Sequence, residues 1–109
     1  MNQAYFFKQV QQIIEENIKN PNLKGQFIAN KLSISRMHLH RKLRTYYQKN
    51  ASEFILDVRI NKAKQLLINT NIPILIISQQ IGFKDPSYFS KVFKKVVRVT
   101  PSSYRKARF

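Results

Sequence analysis

An all-α fold is predicted for this 109-residue chain on three observations. Apolar residues recur three and four apart along most of its length, which is the helical period. Glycine occurs twice and proline four times, a composition of helices joined by few loops. A hydrophobic content of 43% is enough to fill one core, or two small ones, and no stretch requires a strand. About seven helices are expected.

Residues 3–18, QAYFFKQVQQIIEENI, place Phe6, Val10, Ile13, Ile14 and Ile18 on one helical face, and NPNLKG at 20–25 stops that helix. Residues 26–32 form a short helix, SIS at 33–35 is a break, and SRMHLHRKLRTYY continues as a longer amphipathic helix. After KNAS at 49–52, the segment FILDVRINKAKQLLIN is the longest helix, with Phe54, Val58, Ala63, Leu66 and Leu67 inward and Ser52 as its expected N-cap. The run IPILII at 72–77 is rich in β-branched residues, which favour strands. Ile74, Ile77 and Ile81 nevertheless keep helical spacing, and Pro73 suits a first turn, so a short helix is expected. Asp85-Pro86 opens the next helix, to about Val97: the carboxylate can cap free N–H groups, and Pro lacks the one that would go unpaired. Thr100-Pro101 opens a last short helix.

Lys and Arg number 20 against 5 acidic residues, a net charge of +15. The excess is spread evenly, with 9 basic and 2 acidic groups in residues 1–50 and 11 and 3 in residues 51–109. So large a charge on so small a chain points to a polyanionic partner. With no cysteine, disulfides and thiolate metal sites are excluded, and the chain reads as cytoplasmic. The longest apolar run is far shorter than the roughly 20 residues a membrane-spanning helix needs.

The chain repeats itself. IANKLSISRMHLHRKLR at 28–44 aligns with ISQQIGFKDPSYFSKVFK at 77–94: Ile28 with Ile77, Ala29 with Ser78, Leu32 with Ile81, Ser33 with Gly82 and Ile34 with Phe83. After one inserted residue, Ser35 aligns with Asp85, Leu39 with Phe89, Arg41 with Lys91, Leu43 with Phe93 and Arg44 with Lys94. Each copy is a short helix with a small residue, a tight turn, a capped start and a second helix carrying apolar residues four apart. That unit is a helix-turn-helix. At about 100° per residue, burying Leu39 and Leu43 turns Met37, His40, Arg41 and Arg44 outward, and burying Phe89 and Phe93 turns out Ser87, Ser90, Lys91 and Lys94. Basic side chains can take guanine edges or phosphate oxygens, His40 can donate or accept, and Met37 can meet a thymine methyl group. One basic amphipathic helix is usually solvated surface. Two matched copies in a chain of charge +15 instead indicate nucleic-acid binding, with the basic helices presented to double-stranded DNA as the first expectation.

The segments SRMHLHRKL, RINKAKQLL at 59–67, IGFKDPSYFSKVFKK at 81–95 and TPSSYR at 100–105 together resemble the DNA-binding domain of the AraC family of bacterial transcription regulators, over nearly the whole chain. The resemblance implies seven helices in two helix-turn-helix subdomains, at 1–50 and 70–109, joined by a long linker helix at 51–69, with both recognition helices entering successive major grooves. It implies sequence-specific regulation of transcription, often through RNA polymerase. It also implies base contacts from Met37, His40 and Arg41 with Arg36 near the backbone, and from Pro86, Ser87 and Lys91 in the second copy. SEFILDVRINKAKQLL after FFKQVQQIIEENIKNPNL further looks like the output domain of hybrid two-component or response regulators, whose sensor, receiver and oligomerising regions would lie outside this chain. The family usually places Gly, then Pro, before the linker helix and an aromatic-Gly pair before the final Thr-Pro. Here Gln48 and Ala51, and Val97-Arg98, stand there, so non-glycine residues are expected in two left-handed turns, at about 1 kcal/mol each.

Other signals are weaker. His38 and His40 lie two apart on a helix and diverge, with no further ligand nearby, so no metal is expected. Glu15, Glu16, Glu53, Asp57 and Asp85 offer no catalytic pair, and no glycine-rich phosphate loop exists, so neither an enzyme nor a cofactor is expected. Two other function classes remain open: nucleic-acid binding by charge alone, and a basic helical module for an acidic protein partner. A high ratio of specific to non-specific affinity separates sequence reading from the first, and poor competition by DNA would mark the second.

Overall fold

The computed structural model describes residues 2–108, and among them it contains seven α-helices and no strand. They are α1 (Gln3–Glu16), α2 (Gly25–Lys31), α3 (Arg36–Tyr47), α4 (Ala51–Asn69), α5 (Ile74–Gln80), α6 (Pro86–Val97) and α7 (Pro101–Lys106). None is long and apolar enough to cross a membrane. The chain forms two compact units: one takes the residues up to Ile18 with Asn22–Val58, the other Lys19–Pro21 with the residues from Arg59 onward.

In the first unit, Asn2 caps α1 by accepting the Tyr5 N–H at 2.8 Å. Phe6, Val10 and Ile14 are buried along its inner face. The helix stops at Glu16, two residues short of the sequence expectation, because the Asn17 side chain donates to the Ile13 carbonyl at 2.8 Å in place of another backbone turn. Ile13 is half-buried against the core. Those three residues pack with Leu23, Ile28, Ala29, Leu39, Leu43, Phe54 and Ile55 in one cluster. Each large apolar member contributes about 1.5–3 kcal/mol by leaving water. Gly25 starts α2 where a Cβ would lie 2.9 Å from that of Ala51, so only glycine allows this approach. Rings of Phe7, Tyr47 and Phe54 meet edge to face at 5.5–5.6 Å, and the Tyr47 hydroxyl donates to the Gln3 carbonyl at 3.2 Å. Burial, reinforced by neighbouring Tyr46, raises the Tyr47 pKa.

The start of α4 corrects the sequence expectation. Its cap is Asn50, whose side chain accepts the Glu53 N–H at 2.8 Å while the Glu53 carboxylate accepts the Asn50 N–H at 2.9 Å. This reciprocal pair satisfies two otherwise orphaned donors, which Ser52, exposed within the first turn, cannot do. Lys49 forms an ion pair with Asp57 one turn further on.

In the second unit, Ile60, Ala63 and Leu67 of α4 are buried, as are Ile77, Ser78, Ile81, Phe89 and Phe93. The ambiguous isoleucine run is helical from Ile74, with Pro73 at the N-cap one position earlier than expected. Rings of Phe83, Phe89, Phe93 and Tyr104 follow one another at 5.3–5.8 Å and tie α7 to α6. Two arginines close the end of α4: Arg105 donates to the Leu67 carbonyl at 3.1 Å and the Thr70 carbonyl at 3.2 Å, and Arg108 to Thr70 at 2.9 Å and the Asn71 side chain at 2.8 Å. Cationic donors on the last carbonyls of a helix also oppose its negative dipole end. Arg59 donates to the Asn20 carbonyl at 2.7 Å, and its burial lowers its pKa.

Candidate nucleic-acid interface

The repeat seen in the sequence is a repeat of hydrogen bonds. At the end of α2, Leu32, Ser33 and Ile34 donate their N–H groups to the carbonyls of Ile28, Asn30 and Ala29 at 3.1, 3.2 and 3.1 Å. At the end of α5, Ile81, Gly82 and Phe83 donate to Ile77, Gln79 and Ser78 at 3.1, 3.2 and 2.9 Å. The central residue is left-handed in both turns, Ser33 at φ 57° and Gly82 at φ 95°. Glycine takes that conformation freely, whereas serine pays a steric penalty of about 1 kcal/mol. Ala29 and Ser78 are fully buried, and the Ser78 hydroxyl is satisfied by the Leu75 carbonyl at 2.7 Å.

The second helix of each copy starts on a side-chain cap. Ser35 accepts the His38 N–H at 3.0 Å, and Asp85 accepts the Ser87 N–H at 2.9 Å. Leu39 and Leu43 of α3, and Phe89 and Phe93 of α6, are buried and fix the rotation of each helix. Both helices also end alike. Gln48 and Arg98 are left-handed C-caps, φ 55° and 77°, donating to the carbonyls of Arg44 at 3.0 Å and Lys94 at 2.8 Å. The two positions where the sequence lacks an expected glycine therefore keep the glycine conformation.

On α3 the structure exposes Arg36, Met37, His40, Arg41 and Arg44 together, with Met37 at 74%. On α6 it exposes Ser87, Lys91 and Lys94, while Pro86 and Ser90 are half-buried. Arginine forks suit the paired O6 and N7 acceptors of guanine, and lysine ammonium groups are point charges suited to phosphates. Arg36, Met37 and His40 also wall an open hollow shared with Lys24, Gln26, Asn50 and Ser52, a lining without a carboxylate.

Residues outside the sequence-derived set share these surfaces. Tyr88 is 59% exposed on the first turn of α6, and Lys95 is exposed on the same helix. Counting about 100° per residue from the buried Phe89 and Phe93 places both nearer the centre of the outward face than Ser90. That angular count was available from the sequence alone. Lys24, by contrast, reaches the α3 hollow only through tertiary packing and left no local signal.

A family model described as a helix-turn-helix domain matches residues 28–107. The chain is 38% identical over 98 residues to histidine kinase P4 of Formosa agariphila, covering 90% of this chain and 7% of that protein. It therefore spans a small fraction of the length of that curated relative. Among solved structures, the C-terminal domain of the two-component response regulator yesN from Fusobacterium nucleatum matches with a TM-score of 0.81 at 31% identity, covering 93% of this chain and 98% of that one. A transcriptional regulator with an AraC-type DNA-binding domain, from Chromobacterium violaceum, matches with a TM-score of 0.85 at 30% identity over 93% of this chain and 89% of that one. With its doubled turn, cap and exposed basic face, the chain belongs to the AraC family of helix-turn-helix transcription regulators, and this domain is a sequence-specific binder of double-stranded DNA.

Proposed function

We propose that the chain reads duplex DNA with α3 and α6, each entering one of two adjacent major-groove segments, as the output domain of a longer signalling regulator. The observation that carries this reading is the coincidence of two identically built turns with two exposed faces of matching position and basic character. In this reading residues 1–50 and 70–109 are the two readers and 51–69 the helix that joins them. Met37, His40 and Arg41 meet base edges in the first segment, with Arg36 and Arg44 toward the backbone. Pro86, Ser87 and Lys91 do so in the second, flanked by Ser90 and Lys94. The likeness to a histidine kinase and to the C-terminal domain of a response regulator supports placing the domain downstream of a two-component signal. A cytoplasmic location and regulation through contact with RNA polymerase belong to the same proposal.

Selection of bound sequences from a random duplex pool at about 150 mM salt, where charge-driven binding is weakened, tests this reading. The expected result is a motif of two blocks about one helical turn apart. Recovery of no motif, with affinity that follows salt alone, would assign the binding to net charge and overturn it.

A further inference from the structure

The two reading helices match position by position except along their flanks. On α3, His38 is half-buried and His40 exposed; on α6 the matching residues reverse, with Tyr88 59% exposed and Ser90 half-buried. We propose that Tyr88 is a DNA contact of α6, its hydroxyl donating to a phosphate oxygen on the wall of the groove. The proposal rests on the reading of α6 as a recognition helix.

Five observations support it. Tyr88 lies in the first turn after the Asp85 cap, the end of a recognition helix that goes deepest into a groove. Its position is about 60° from the centre of the outward face, which Lys91 occupies, against about 100° for Ser90. A flanking position faces the sugar-phosphate wall rather than the base edges, and tyrosine hydroxyls are among the groups that bond phosphate oxygens. Exposed Lys95 continues the flank, one charge further along a row of positions 88, 91 and 95. The Tyr88 ring packs against the Phe83 ring with centroids 6.1 Å apart, which anchors the base of the side chain and leaves its tip free. The Tyr47 hydroxyl, in contrast, is engaged by the Gln3 carbonyl, whereas that of Tyr88 has no hydrogen-bond partner among the described residues.

The test uses Tyr88→Phe, which keeps the ring against Phe83 and removes only the hydroxyl. On the duplex recovered by selection, affinity is expected to fall roughly three- to tenfold, the scale of one net hydrogen bond, with an unchanged melting temperature. Replacing each phosphate of the second block in turn by uncharged methylphosphonate should then reveal one position that weakens wild-type binding and leaves Tyr88→Phe indifferent. A variant that binds like wild type and shows the same phosphate profile would overturn the proposal. Lys91→Ala, measured in parallel, separates the two levels. If Lys91→Ala weakens binding and Tyr88→Phe does not, the Tyr88 contact alone is wrong; if neither does, α6 is not a recognition helix.

Discussion

The first helix-turn-helix turns on Ser33 and exposes three arginines and a histidine on α3, whereas the second turns on Gly82 and exposes a serine, three lysines and a tyrosine on α6. Between them the turn hydrogen bonds agree within about 0.2 Å, and each reading helix starts on a side-chain cap and buries two residues four apart. The shared parts are those that set backbone geometry, and the divergent parts are those that meet solvent. One unit thus tolerates two surfaces, because its turn is held by backbone hydrogen bonds and its core by the buried residues four apart. Forked guanidiniums discriminate bases, whereas ammonium groups add affinity with less discrimination, so α3 should specify sequence more strongly than α6.

The largest effects should come from the buried pair that both copies share. Phe93→Ala is expected to lower stability by about 3–5 kcal/mol and Leu43→Ala by about 2–5 kcal/mol, read from denaturant unfolding of each variant. A silent substitution at either would mean that its helix is not held by the residue matched in the other copy. Next come the readers. Arg41→Ala should lower affinity for the selected duplex by about 1–3 kcal/mol and relax one base pair, while Lys91→Ala should weaken only the second block. Equal weakening of Arg41→Ala on every sequence would make Arg41 a phosphate contact and dissolve the contrast between α3 and α6.

Smaller effects sharpen the comparison of the helix starts and turns. Ser35→Ala and Asp85→Ala should each reduce stability by about 1 kcal/mol, and so should Asn50→Ala, whereas Ser52→Ala should be nearly silent. The turns permit a reciprocal exchange: Ser33→Gly should stabilise by about 0.5–1 kcal/mol and Gly82→Ser destabilise by a similar amount. Gln48→Gly and Arg98→Gly should each stabilise on the same scale, visible as small rises in unfolding midpoint.

Much of this architecture was written in local chemistry. Asp85-Pro86 and Thr100-Pro101 announce helix starts because cap and missing donor fall together, and both start where expected. The left-handed turns at Gln48 and Arg98 were legible as departures from a glycine pattern. The start of α4 was misjudged because Asn50 and Ser52 are both good caps, and only the reciprocal reach of Glu53 to Asn50 decides between them. The end of α1 was misjudged because the Asn17 side chain competes with the backbone ladder. What sequence pattern could not supply is long-range. The clasp of Arg105 and Arg108 on the last carbonyls of α4 joins residues more than 30 apart in the chain. The reversal of exposure between His38 and Tyr88 likewise depends on what packs beside each helix.

The most direct test of two helices reading two blocks is hydroxyl-radical footprinting of the selected duplex with the wild-type chain, Arg41→Ala and Lys91→Ala. The expected result is a footprint in which Arg41→Ala loses protection over one block and Lys91→Ala over the other. Loss of both blocks together in either variant would contradict the independence of the two readers.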